Sequence, residues 1–242
     1  RRPPRSTLFP YTTLFRFSIS DLENRTGIES GGRVYGVSRI SEELITEERY
    51  RTVYGRWNDK ETLDFMVAAQ EKNETGLLSN WVQLYGMERY ALDKSQLIEG
   101  NLDKLYAPNA RYIAAVYSLD DFGNKRPDSN WAQIGDKVTV RYIDEYEYYD
   151  PITGEILDEN ALREGQAYRK RAKVYEEFEY EVAALITIPS SLSYRYYGTD
   201  EFVMSAETFI KDTKTSDVMY YACDVADERT DMIETYLSDL TK

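Results

Sequence analysis

Two long runs, WAQIGDKVTVRYIDEYEYYD and RKRAKVYEEFEYEVAALITI, alternate apolar and polar residues with a period of two, and DPITGEILDEN lies between them. A helix turns by 3.6 residues and would scatter such a pattern around its surface. A strand sends alternate side chains to opposite faces and keeps the pattern in register. The runs therefore read as long antiparallel strands, with Pro151 and Gly154 in turn positions. Paired, they make a sheet. The 22 tyrosines suit its half-exposed surface, where a ring packs and its hydroxyl stays wet.

The flanks supply both strands and helices. FSISDL (residues 17–22) alternates and reads as a first strand. NRTGIESGG reads as a loop, and RVYGV as a short extended piece. Ser38 or Ser41 is placed to cap a helix through SEELITEERY. DKETLDFMVAAQEKN carries Leu63, Met66, Val67 and Gln70 at helical spacing behind Asp59 as N-cap. NWVQLYGM reads as a strand, KSQLIEGNLDKLYAPN as short helical or irregular chain, RYIAAVY as a strand and DDFGNKRPDSN as a loop. DEFVMSAETFIKDT reads as a strand leading to a helix, DVMYYACDV as a strand, and DERTDMIETYLSDLTK as an amphipathic helix with Met232, Ile233, Tyr236, Leu237 and Leu240 on one face. The fold class is α+β.

The residue inventory excludes several chemistries. Histidine is absent and Cys223 is the only cysteine, so Ser-His-Asp triads, Cys-His pairs, His-containing zinc sites and intrachain disulfides are all closed. Cys223 sits in an alternating run and reads as a small packed side chain. The net charge of −13 opposes binding to nucleic acid or anionic lipid. GGRVYG (residues 31–36) matches neither a phosphate loop nor a dinucleotide fingerprint, and no Walker motif is present.

Asp144, Glu145, Glu147, Asp150, Glu155, Asp158 and Glu159 offer oxygens but lack the spacing of a calcium loop, so they read as a solvated hairpin. No spacing singles out a carboxylate pair for glycoside hydrolysis. Ser190 and Ser191 lack a nucleophile elbow and a base. No catalytic residue, metal ligand or cofactor site is read. Tyr194, Arg195, Tyr196 and Tyr197 form the candidate partner-contact cluster, since Tyr and Arg anchor interfaces; packing against the sheet is the equal alternative. The longest apolar run, VAALI (Val182–Ile186), falls far below the roughly 20 residues of a membrane helix.

The first sixteen residues, RRPPRSTLFPYTTLFR, resemble the translation of a widely used short-read sequencing adapter at every position. The adapter would continue with serine where Phe17 stands. Residues 1–16 are accordingly set aside as adapter-derived and expected to take no part in the packed core. Setting aside their four arginines, with no acid among them, takes the net charge from −13 to −17.

The order of the remaining motifs resembles the MacB-type extracytoplasmic domain of FtsX-like ABC transporter permeases, in the version found in Gram-positive Firmicutes. The matching pieces are the strand ending in YGM, then Glu99-Gly100-Asn101 for an "EGR" turn, YIAAV (112–116), IGDKVTV (134–140), YEVAAL (180–185), FVMSAETF (202–209), and the strand and helix of residues 218–240. They span about residues 80–242. Two departures stand out: Asn101 stands where the family usually has arginine or a similar residue, and residues 59–80 form a longer segment than the domain core requires.

The resemblance implies a porter-like α/β lobe built from residues 17–90 and 199–242, with a mostly antiparallel β lobe, residues 91–198, inserted between them. It further implies a membrane helix before Phe17, three after Lys242, and truncation of the sequence at both ends. The implied partners are a cytoplasmic ATP-binding subunit or domain, a second permease copy, and a peptide, lipoprotein or cell-wall protein outside the cell. The implied task is to couple ATP hydrolysis below the cell membrane to export or mechanical signalling, with no bond made or broken in the domain. A secreted or surface-attached binding module with a tyrosine-rich β face is the alternative. A carbohydrate-active enzyme using two carboxylates is the third.

Overall fold

The computed structural model describes residues 6–10, 28–37, 40–42, 59–71, 82–127, 129–158, 167–189, 200–226 and 229–240. The strands are β1 (Ser6–Pro10), β2 (Ile28–Val37), β3 (Ile40–Glu42), β4 (Val82–Met87), β5 (Gln96–Gly100), β6 (Tyr112–Val116), β7 (Lys137–Tyr149), β8 (Arg169–Thr187), β9 (Asp200–Ser205) and β10 (Val218–Val225). The helices are α1 (Lys60–Glu71), α2 (Arg89–Leu92), α3 (Ala206–Thr213) and α4 (Thr230–Leu240), with a 3₁₀ turn at Leu102–Tyr106. This is a mixed α+β fold, mostly sheet.

All described strands join one sheet in the order β1-β10-β2-β4-β9-β6-β8-β7-β3, and β5 pairs with β8. The expected hairpin is present: β7 and β8 pair antiparallel from Lys137↔Glu181 to Tyr149↔Arg169. Most neighbours are antiparallel; β4 runs parallel to β9, and β6 parallel to β8. The sheet is continuous from the chain-end strands β10, β2, β4 and β9 into β6, β8 and β7 of the middle segment.

The central strands are buried on both faces. On one face lie Tyr35, Leu84, Ile113, Ala115, Val182, Phe202 and Met204, covered by Phe209 of α3. On the other lie Val34, Tyr85, Ala114, Val116, Ile186 and Val203, packed with Leu92 of α2 and Leu105 of the 3₁₀ turn. Neighbouring residues divide between the faces as the period of a strand requires. Helix α3 starts at its N-cap Ser205, whose Oγ accepts from Thr208 N at 3.2 Å. Helix α1 starts as expected at Asp59, whose Oδ1 accepts from Thr62 N at 2.8 Å. Of the face expected on α4, Tyr236 is buried and Met232 is exposed.

The structure corrects three expectations. Residues 28–32 (IESGG), expected within a loop, belong to the single strand β2. Its glycines give room: a Cβ on Gly31 would lie 2.1 Å from the Tyr221 hydroxyl, so this strand position carries a ring of β10 instead of a side chain. Ile40–Glu42, assigned to a helix start, pairs with β7 at Val140–Tyr142, where the edge of a long strand offers partners that a local cap cannot match. Within KSQLIEGNLDKLY, residues 96–100 form a strand on β8 and only residues 102–106 coil. Residues 6–10 of the adapter-like stretch form an edge strand antiparallel to β10. FSISDL lies outside the described residues.

Candidate functional site

Strand β8 changes partners halfway along, and the residues around that change make the candidate site. On one edge β8 pairs with β6 through residues 181–186. On the other edge β7 accompanies it to Glu181, and β5 takes over at Ala184. Two glycine turns fill the gap. Gly135 N donates to Val182 O at 2.9 Å, Val182 N to Asp136 O at 2.9 Å, and Asn101 N to Ala183 O at 2.9 Å. Ala183 is passed over in the register with β6, which jumps from Ile113↔Val182 to Ala114↔Ala184. A bulge of this kind bends a strand and re-aims its side chains.

The turns require glycine for different reasons. Gly100 has φ +90°, and a Cβ there would stand 2.3 Å from Ala183 O. Gly135 has φ +84° with no atom within 4 Å of a Cβ. Both lie in the left-handed region that side chains avoid. These are the Glu99-Gly100-Asn101 and IGDK motifs of the sequence, now in contact: Ile134 Cδ1 would meet a Cβ on Gly100 at 2.8 Å. Asn101 has its own task, accepting from Asp103 N at 2.8 Å to cap the 3₁₀ turn.

Beside this handover lies a polar chain that ties four elements together. Asp212, in the last turn of α3, is buried, with 2% of its side chain exposed. Its Oδ2 accepts from Arg111 Nη1 and, at 2.7 Å, from the Tyr180 hydroxyl of β8. Tyr180 shares a 2.8 Å hydrogen bond with the Tyr142 hydroxyl of β7. The Arg111 guanidinium lies 3.9 Å above the Phe178 ring, and Arg111 O accepts from Glu181 N at 2.8 Å. Lys137 and Glu181 pair at 2.7 Å on the outside. An acid at a helix C-terminus is disfavoured by the helix dipole, so Asp212 depends on these partners. Burial, then the Tyr142 and Asp212 neighbours, push the Tyr180 phenol far above its ordinary range, which keeps it a proton donor.

A polar pocket of about 30 Å³ adjoins the pair, lined by Asn109, Ser205, Thr208 and Lys211 among others. That volume suits water and falls far short of a metabolite site. The chain Tyr142–Tyr180–Asp212–Arg111 thus acts as a tie, fixing α3 against the root of the β7–β8 hairpin. Sequence reading missed it, although one signal existed. Asp212 is three residues after the buried Phe209 and so falls on the inward face of α3.

Tyr194, Arg195, Tyr196 and Tyr197 lie outside the described residues, as do Ser190 and Ser191. The acidic run is dispersed: Glu147 pairs with Arg171 at 2.7 Å, while Asp150 Oδ1 accepts from Ile152 N and Thr153 N in a turn. Among the described residues no three His, Cys, Asp or Glu side chains group to hold a metal ion. Cys223 is buried in β10. No described helix is long and apolar enough to cross a membrane.

No family model and no curated protein matches the sequence. Among solved structures, the chain is similar to the extracellular domain of the noncanonic ABC-type transporter YknZ from Gram-positive bacteria, with 11% identity, TM-score 0.39, and coverage of 94% of this chain and 78% of that one. It is also similar to the periplasmic region of MacB from Actinobacillus actinomycetemcomitans, with 14% identity, TM-score 0.44, and coverage of 98% and 82%.

Proposed function

We propose that this chain is the extracytoplasmic domain of an ABC transporter permease subunit, held at the outer face of the cell membrane and non-catalytic itself. The observation that carries the reading is the return of the chain to its own beginning. Strands β10 and β9, late in the sequence, flank β2 and β4, early in the sequence, and the middle segment branches off through β6 and β8. This is the arrangement expected of a two-ended α/β lobe, residues 17–90 and 199–242, with residues 91–198 inserted. The ordered motifs support the same reading, because two of them, at Gly100 and Gly135, meet on β8.

In this reading a cytoplasmic ATP-binding subunit drives the domain through membrane helices, and the domain passes movement to an exported substrate or to a protein outside the cell. The tie at Asp212 couples the helix-bearing lobe to the hairpin, which such movement requires. Recovery of the gene and its neighbours tests the proposal. It predicts a hydrophobic helix of about 20 residues encoded a short distance before Phe17, further helices downstream, and an ATPase gene carrying a Walker motif alongside. A cleavable signal peptide with no downstream helices would overturn it in favour of a secreted binding module.

A further inference from the structure

The far end of the β7–β8 hairpin carries two isoleucines in water. Ile152 is 92% exposed and Ile156 is 56% exposed. Single exposed apolar side chains are ordinary, but these two stand on a turn held from several sides. Asp150 Oδ1 accepts from Ile152 N at 2.7 Å and Thr153 N at 2.9 Å. Gly154 N donates to Asp150 O, Asp150 N to Glu155 O, and Leu157 N to Tyr148 O, all within 2.9 Å. A bridge between Tyr149 and Ile156 closes the base. The backbone that presents the isoleucines is therefore already ordered, which lowers the entropic cost of docking them.

The chain around them is strongly acidic. Along the connection from residue 150 to 168 the sequence carries Asp150, Glu155, Asp158, Glu159 and Glu164 against Arg163. The described cations at the start of β8 are turned onto rings: Arg169 over Phe65 at 4.8 Å, Lys170 over Tyr146 at 4.6 Å, and Arg171 over Tyr149 at 5.4 Å while also paired with Glu147. An apolar centre with an acidic border matches the anatomy of a protein interface whose other side is apolar and cationic. Anionic lipid would be repelled by the same border, and a second copy of this chain would bring acid against acid.

We infer that the hairpin apex docks a partner protein, with Ile152 and Ile156 entering an apolar pocket bordered by lysine or arginine. The inference stands on the apex alone and holds whether or not the chain serves a permease. Selection of short random peptides displayed on phage against the whole chain tests it, followed by titration of an enriched peptide. The expected peptides combine apolar residues with lysine or arginine. Ile152→Ser with Ile156→Ser should weaken the titrated peptide about tenfold or more, and added salt should weaken it further. Phe122→Ser, at the equally exposed but separate 120–124 turn, should change nothing. Four outcomes would overturn it: failure to enrich any peptide, equal binding to the Ile→Ser variant, isoleucine-dependent self-association in sedimentation, or isoleucine-dependent binding to phosphatidylglycerol vesicles.

Discussion

At the scale of single residues, the Asp212 carboxylate decides the most. It is buried at the wrong end of a helix and answers to Arg111 and Tyr180. Removing one partner of such a pair leaves the other without compensation, at a cost of about 3–5 kcal/mol when both are buried. Arg111 keeps 40% of its side chain exposed. Water can therefore take over part of its charge, and Asp212→Ala is expected to cost nearer ~2 kcal/mol. Tyr180→Phe removes the hydroxyl that links Asp212 to Tyr142 and should cost ~1–2 kcal/mol. The pair of substitutions should be less than additive, since both break one chain. Urea unfolding of the two single variants and the double variant measures this. Full additivity, or an Asp212→Ala cost below ~1 kcal/mol, would show that the four groups do not act together.

At the scale of elements, β8 is where two edges are served by three strands, and the glycine turns make this arrangement testable. Gly135→Ala meets open space, so only its left-handed backbone resists, for about 1–2 kcal/mol. Gly100→Ala adds a collision with the Ala183 carbonyl, and its cost should rise to about 3 kcal/mol. Thermal or urea unfolding separates the two variants; equal costs would mean that the Gly100 contact yields freely. The elements legible in the sequence were those whose own pattern sufficed. These are the β7–β8 hairpin, the β6 run, the β9–α3 and β10 segments, and the Asp59 cap of α1. The elements that escaped depend on distant partners. The strand through Gly31 exists because a tyrosine of β10 lies over it, β3 because β7 offers an edge, and β5 because β8 has room beyond Glu181. The tie was hidden for the same reason: Arg111, Tyr142, Tyr180 and Asp212 carry no shared local pattern, and only the topology brings them together.

At the scale of the whole molecule, burial of tyrosine ties stability to alkaline pH. Tyr35, Tyr90, Tyr106 and Tyr180 all have phenols raised above the ordinary 10.0, with burial the leading cause in each. A raised value means that the folded chain holds protons which the unfolded chain would release. Stability from these groups is therefore complete below pH 10 and falls as pH climbs from there toward the folded-state values. A second effect points the same way, because the chain already carries −13 at neutral pH and becomes more negative as lysines and tyrosines lose protons. Salt distinguishes them: self-repulsion is screened, whereas the desolvation of a buried ring is not. We expect these four tyrosines, Tyr35 and Tyr180 buried and Tyr90 and Tyr106 half-buried, to ionise together with loss of the near-ultraviolet circular dichroism signal, above pH 10, at a pH that added salt raises only in part. Tyr180→Phe should make the alkaline decline shallower even though it lowers stability at neutral pH, because one strongly shifted proton is gone from the folded state. Ionisation of every tyrosine near pH 10 with native dichroism intact would instead mean that the rings of the core exchange with water without unfolding, and that the sheet is looser than its packing implies.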